Sequence, residues 1–340
     1  MVTSVSAPGS AGDLRWGIVG TGTIAAQFTQ DLHISSGSTV YAVASRDPER
    51  AQEFAGRHAV PRAGSYAEML TQTEVDVVYI ATPARTHYEL ALAALEAGKH
   101  VVVEKPLTQN VVEARNLIEA ARHADRFVTE AMWMNFNPIM EQLHMIIAEG
   151  RIGEITSVQA SFGLPFPRHE GSRWSPEHGG SALFDQGIYP VTLARKLMGP
   201  RLDLFVSGEA TADGIDLSHQ ITFTYPHGRF AQLAGSMTTY VDPSASISGT
   251  EGWIRLHAPF WAARRMTIHS GDIISAFSEP DDVEVSIEGH GFVPLIRSIN
   301  DTIRAGRRQL AGHTHADTLD TLALLAEIRG RVLSSATPAR

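Results

Sequence analysis

The chain has 340 residues, 43% apolar and 19% charged, with a net charge of −9. That is enough for two domains with substantial cores, and an acid excess unbroken by Lys/Arg blocks speaks against nucleic-acid or anionic-membrane partners. There is no cysteine, which excludes disulfides, thiolate catalysis and zinc–thiolate sites, and no apolar run approaches the roughly 18 residues that span a bilayer.

Residues 1–13 are small and polar, without the basic start and apolar centre of a signal peptide, and are expected to form a flexible tail of a cytoplasmic protein. Leu14–Val19 reads as a strand. Gly20-Thr21-Gly22-Thr23-Ile24-Ala25 follows and runs into a helix-like stretch to Leu32. This is Gly-x-Gly-x-x-Ala between strand and helix. The first glycine makes the turn, the second admits a pyrophosphate, and the phosphates sit on the helix N-terminus.

Thr39–Ala44 is a second strand, ending in Ser45-Arg46-Asp47-Pro48. An NAD site places an acid here for the ribose 2′-OH. Pro48 suits a first helical position and makes Asp47 its N-cap. Ser45 and Arg46 are left to face the ribose, where a guanidinium fits a 2′-phosphate. NADP is therefore preferred and NAD stays possible; the competing role for Arg46 is stacking on adenine. Helices are expected over 49–58 and 66–71, a strand over 75–81, and a helix over 86–97 stopped by Gly98. His87 stands just after the Ala81-Thr82-Pro83 strand end, as either a cofactor-site or a capping residue. Val101-Val102-Val103 reads as a strand buried on both faces, and Glu104-Lys105-Pro106 closes it. Ligands of open α/β sheets sit outside the carboxyl ends of strands, so Lys105 is placed where chemistry is expected, with a plain salt bridge as the alternative. A helix over 111–123 and a strand over 126–129 complete a doubly wound parallel sheet.

Beyond about residue 130 the pattern changes. Asn137-Pro138 introduces a helix over 139–149. Strands are expected over 155–162, 204–211, 220–225, 229–239, 244–248, 253–257, 266–269 and 283–287. Hairpins in series make a large open, mostly antiparallel sheet whose second face would be covered by a partner subunit, in a homodimer or homotetramer. Helices over 295–305 and 317–333 close the chain. Arg173-Trp174 and Gly179-Gly180-Ser181 lead into a helix to about Met198, with Asp185 and Tyr189 one turn apart; Pro190 inside it implies a kink or a shaped site. The histidines form no metal pattern and no nucleophile elbow is present, so no metal site and no hydrolase triad are expected.

With Gly20-Thr21-Gly22, Glu104-Lys105-Pro106 and Gly179-Gly180-x-Ala182-Leu183-x-Asp185-x-Gly187-x-Tyr189, nearly the whole chain resembles the glucose–fructose oxidoreductase / inositol dehydrogenase / MocA family. Glu130-Ala131-Met132-Trp133, Tyr189 and Gly249-Thr250-Glu251-Gly252-Trp253 make it most similar to the branch of dimeric dihydrodiol dehydrogenases and NADP-dependent xylose dehydrogenases. The resemblance implies a Rossmann domain (14–130) and an α/β substrate and oligomerisation domain (131–340), with packing of the 317–333 helix back on the first as an open expectation. It implies NADP-linked hydride transfer at a carbinol or carbonyl carbon of a sugar, cyclitol or cyclic diol. Lys105, Tyr189 and Asp185 are the expected catalytic residues, and a cis peptide is expected before Pro106. The cofactor is expected to meet Gly20, Thr21, Gly22, Thr23, Ile24, Ser45, Arg46, Ala81, Thr82, His87, Glu104, Lys105, Trp133, Arg173 and Trp174. The substrate is expected to meet Lys105, Asn135, Phe162, Asp185 and Tyr189. The pattern departs from the family at Ser181, where a third glycine is usual, and at Trp174, Asn135 and the acid-free stretch 290–294. A redox-neutral enzyme with tightly held cofactor and a non-catalytic NAD(P) sensor are the alternatives.

Overall fold

The computed structural model describes residues 12–168 and 172–335; most of the expected tail, residues 1–11, lies outside them. The first sheet has six parallel strands in the order β3-β2-β1-β4-β5-β6. They are β1 (Leu14–Val19), β2 (Ser38–Ala44), β3 (Arg62–Gly64), β4 (Val77–Ile80), β5 (His100–Val103) and β6 (Val128–Glu130). β4 is buried along its whole length and β5 from Val101 onward, as expected of strands covered on both faces. Between them run α1 (Thr23–Ile34), α2 (Pro48–Arg57), α3 (Tyr66–Thr71), α4 (His87–Glu96) and α5 (Val111–Ala124).

Local chemistry sets several boundaries. Asp47 caps α2 by accepting from the Glu49 and Arg50 N–H groups, with Pro48 at the first turn. Ser65 and Glu68 form a reciprocal capping box on α3. Asn110 caps α5 through the Glu113 N–H. Gly98, at φ +74°, follows α4 in the left-handed region open to glycine.

α6 (Pro138–Ala148) is capped by Asn137. The second sheet then follows, with eight strands ordered β14-β13-β12-β11-β7-β10-β9-β8. These are β7 (Ile155–Gly163), β8 (Asp203–Ala210), β9 (Asp216–Thr224), β10 (Phe230–Ser236), β11 (Ala245–Gly249), β12 (Gly252–Leu256), β13 (Arg265–Ser270) and β14 (Asp281–Glu284). Every pairing is antiparallel except β7 with β10. α7 (Ile188–Met198) packs on β7, and α8 (Ile273–Ser278) on β13. One face carries Val158, Leu233, Ile221 and Ile247 into the core. The other carries Gln159, Ser161, Gln220, Thr222, Gln232 and Ser246 around an open groove.

The chain then returns to the first sheet. α9 (Val293–Arg304) brings Leu295, Ile296 and Ile299, with Phe292 just before it, into the core built on Trp16, Phe28 and Tyr79. α10 (His315–Ser335) lies along β8 and α7 and touches α5. The short β3 and α8 were not among the expected elements, and the strand expected over 283–287 ends at Glu284.

Candidate active site

The ends of β1, β2, β4 and β5 share one edge because these strands are parallel. The strand order reverses at β1 and β4, the place where open α/β sheets bind ligands. Gly20 follows β1 with φ +114°, and a Cβ there would lie 2.6 Å from the Ala81 carbonyl oxygen. Only glycine lets the two strand ends approach so closely. A Cβ on Gly22 would meet nothing within 4 Å, which leaves the space a phosphate needs. α1 starts at Gly22 without a side-chain cap or an acid in its first turn. Gly22, Thr23 and Ile24 are exposed, so the free N–H groups and positive dipole end face outward. At the end of β2, Ser45 is buried and accepts from the Asp47 N–H, while Arg46 is exposed. Asp47 is committed to its helix cap, as expected from Pro48. These residues fit the phosphates of a bound dinucleotide.

β5 ends in the charged pair. Lys105 Nζ lies 2.7 Å from Asp185 Oδ1 and 2.7 Å from the Asp185 backbone carbonyl. The Arg173 guanidinium binds the other oxygen of the same carboxylate. Asp185 stands in a π-helical turn, Leu183–Gly187, that runs into α7. Tyr189 follows at the start of α7, its ring centroid 5.3 Å from Lys105 Nζ. Trp133 donates its indole N–H to the Tyr189 hydroxyl at 3.1 Å. Phe162 and Trp261 stack at 3.6 Å between centroids and flank Tyr189 at 6.0 and 5.7 Å. The result is one ammonium, one carboxylate and one phenol beside an aromatic wall.

The charges set the protonation states. Burial is the largest influence and disfavours the Lys105 ammonium, but Asp185, with Tyr189 and Glu104 adding to it, holds the lysine above its ordinary range. Burial would raise Asp185; Lys105 and Arg173 overcome it and bring the acid down to about 2. Tyr189 is pushed up to about 12 by burial, with the Lys105 ammonium pulling the other way. Lys105 is thus a cation and Tyr189 a neutral phenol near neutrality. The lysine draws the tyrosine down, and burial is the larger influence.

Several expected site residues point elsewhere. Glu104 turns into the sheet, 8% exposed, and accepts the Tyr79 hydroxyl at 2.5 Å and the Lys105 backbone N–H at 3.2 Å. It supports the lysine's backbone and does not present its carboxylate to a cofactor. His87 is 1% exposed and lies between the Pro106 carbonyl at 2.8 Å and the Thr82 carbonyl at 2.9 Å. It ties two strand-end loops together, and burial lowers its pKa. Asn135 directs its amide to His313 Nδ1 at 3.2 Å. Trp174 packs beside Ala182, Ile215, Leu217 and Met237, and Arg173 is engaged by Asp185. Lys105–Pro106 is a cis peptide.

Sequence reasoning missed Trp261 and the buried group formed by Glu130, His313 and Thr318. Glu130 accepts from the Leu107 N–H at 2.8 Å and lies 2.8 Å from His313 Nε2, which also meets the Thr318 hydroxyl at 3.0 Å. This group holds the loop after Pro106 against the start of α10. Trp261 lies directly after the Pro259-Phe260 pair, and a lone aromatic there carries no periodic signal.

Glu104 gives a stability prediction. Burial raises it to about 7 from an ordinary value of 4.5. An acid raised on folding holds its proton more tightly in the native state. Its contribution is complete below the unfolded value and is lost as pH rises through about 7. The loss is on the order of 3 kcal/mol. Glu104→Gln removes this titration, so relative to the parent it should gain stability between about pH 5 and about pH 8 in urea unfolding. A parent-to-variant difference that does not change with pH would refute this.

Residues 14–132 match the model described as "Oxidoreductase family, NAD-binding Rossmann fold", and residues 140–255 match the GFO/IDH/MocA C-terminal domain. The chain is 35% identical over 261 residues to trans-1,2-dihydrobenzene-1,2-diol dehydrogenase of Bos taurus, covering 75% of this chain and 77% of that one. It is 31% identical over 323 residues to the Danio rerio enzyme of the same name, covering 93% and 94%. Among solved structures, a 3-ketoreductase from Actinomadura kijaniata in complex with NADP and TDP-benzene superposes with a TM-score of 0.84 at 26% identity, over 96% of this chain and 98% of that one. With both domain models matched, and a six-stranded parallel sheet joined to a large mostly antiparallel one, the chain belongs to the GFO/IDH/MocA oxidoreductase family.

Proposed function

We propose that this protein is an NADP-dependent dehydrogenase or reductase that acts on a carbinol or carbonyl carbon of a sugar, cyclitol or cyclic diol. The observation that carries this reading is the convergence of Lys105, Asp185 and Tyr189 at the end of β5, next to the glycine turn after β1. Gly20–Ile24, Ser45 and Arg46, with Ala81 and Thr82, would hold the dinucleotide. When bound, the nicotinamide supplies or accepts the hydride.

This chain's own residues handle the proton. The Lys105 ammonium stabilises negative charge on the reacting oxygen. Tyr189, whose hydroxyl accepts from Trp133 and keeps its own proton to give, is the acid for reduction; its phenolate is the base for oxidation. Asp185 holds the lysine in place and compensates its charge, and Arg173 anchors the same carboxylate through its other oxygen. Phe162, Trp261 and Trp133 offer flat apolar surface suited to the ring face of a cyclic diol or sugar. The relatives named for dihydrobenzenediol support that substrate class.

The preference for NADP rests on Arg46, exposed at the end of β2 beside an Asp47 already spent on a cap, and the 3-ketoreductase solved with NADP supports it. Arg46→Ala should weaken NADPH binding by about tenfold to a hundredfold, the scale of one lost charge-assisted contact, and leave NADH nearly unchanged. Titration by nicotinamide fluorescence measures both; equal losses would remove the 2′-phosphate assignment. The activity itself is tested by following NADP reduction over sugars, cyclitols and cyclic diols.

A further inference from the structure

We propose that Pro190 is a positioning residue for Lys105, acting through the backbone carbonyl of Asp185. This rests on the proton-handling role given to Lys105 above. In a π-helical register a carbonyl is served by the N–H five residues on, and in the α register by the one four residues on. Asp185 lies within the π turn, where its fifth residue on is Pro190 (the fourth is Tyr189), and for Gln186 the fourth is the same proline. Pro190 has no N–H to give either of them. The Asp185 carbonyl accepts instead from Lys105 Nζ at 2.7 Å.

The consequence is a two-point seat. The ammonium has three donors. One meets the Asp185 carboxylate, a side-chain group whose other oxygen is held by Arg173. A second meets the Asp185 carbonyl, which is fixed in the backbone of the π turn. The third is left for the reacting oxygen. A lysine held only by a carboxylate would swing with it.

The register is also held from below. His219 of β9 is 1% exposed, and its ring lies against both Gly187 and Gly235. A Cβ on Gly187 would sit 2.6 Å from His219 Nε2, and one on Gly235 would sit 2.4 Å from the same atom. Gly187 ends the π turn, so the ring leaves no room there for an ordinary helical side chain. A proline inside a helix is normally unfavourable; here its missing N–H leaves the π-register acceptor site of the Asp185 carbonyl to the lysine.

The test restores the N–H. Pro190→Ala and the bulkier Pro190→Val are purified with the parent, and melting temperature, NADPH affinity, kcat, KM and crystal structures are measured for each. The expected result is a melting temperature equal to or above the parent's, unchanged NADPH affinity, and kcat lower by about tenfold with KM little changed. In the crystal structures the residue 190 nitrogen binds the Asp185 carbonyl, and Lys105 Nζ has left it. Undiminished kcat would overturn the proposal, whether Lys105 is displaced or stays on the carbonyl. So would a fall in kcat with Lys105 still on the carbonyl, since that would be a purely structural effect. If the parent shows no turnover, the proposed function fails by itself. The two crystal structures then still decide whether the 190 N–H displaces the lysine.

Discussion

Lys105→Met lowers kcat by about a thousandfold or more while NADPH binds with parental affinity. That scale combines loss of proton handling with loss of one preorganised cation at the reacting oxygen. Methionine keeps the unbranched stem, so the packing around it changes little. Removing one partner of a buried ion pair usually strands the other. Here Asp185 keeps Arg173 on its second oxygen, and the variant is therefore expected to fold. The ammonium also holds the Tyr189 phenol below where burial alone would put it. Without it the tyrosine becomes a weaker acid in reduction and is harder to ionise for oxidation. The cofactor contacts proposed at Gly20–Ile24 and Arg46 involve other elements, so binding and turnover separate in this variant. Activity within tenfold of the parent would remove Lys105 from the chemistry.

Gly20→Val damages both fold and cofactor site, and its companion Gly22→Ala damages only the second. At Gly20 the backbone has φ +114°, and a Cβ would fall 2.6 Å from the Ala81 carbonyl oxygen and 3.5 Å from Thr82 Cγ2. A β-branched residue meets steric strain and a backbone clash together, for a loss of about 3 kcal/mol. NADPH affinity should fall by about a hundredfold or more, because the turn that presents α1 to the phosphates is displaced. Gly22 differs. It has φ −83° and open space around it, so alanine fits the fold and its methyl intrudes only where a phosphate would lie. Denaturant unfolding and NADPH titration of both variants check the contrast. Full NADPH affinity in either variant would contradict the phosphate assignment.

The parts legible from sequence are those with a local cause. The Gly20–Ala25 turn, the Asp47-Pro48 helix start and the buried valine strand each announce themselves within a few residues, because steric freedom, capping and two-sided burial act at that range. The lysine could be placed because it ends such a strand. What was not legible depends on the partner across the fold. His87 stands by a strand end yet turns inward to two carbonyls that are close only in three dimensions. Asn135 finds His313, 178 residues away. Trp261, in the connection between β12 and β13, stacks on Phe162 of β7. The π register leaves no mark in hydrophobic periodicity, since one widened turn shifts the pattern by a single residue. Pro190 did mark an irregularity there, but not its form.

The most direct measurement uses the parent enzyme and Lys105→Met side by side. Sugars, cyclitols and cyclic diols carrying deuterium at the carbinol carbon are incubated with NADP, and the reduced nicotinamide is examined for label. The expected result is label transferred by the parent from at least one of these substrates and from none by the variant, with both proteins binding NADPH equally. A parent that binds NADPH yet transfers no label from any of them would contradict the account.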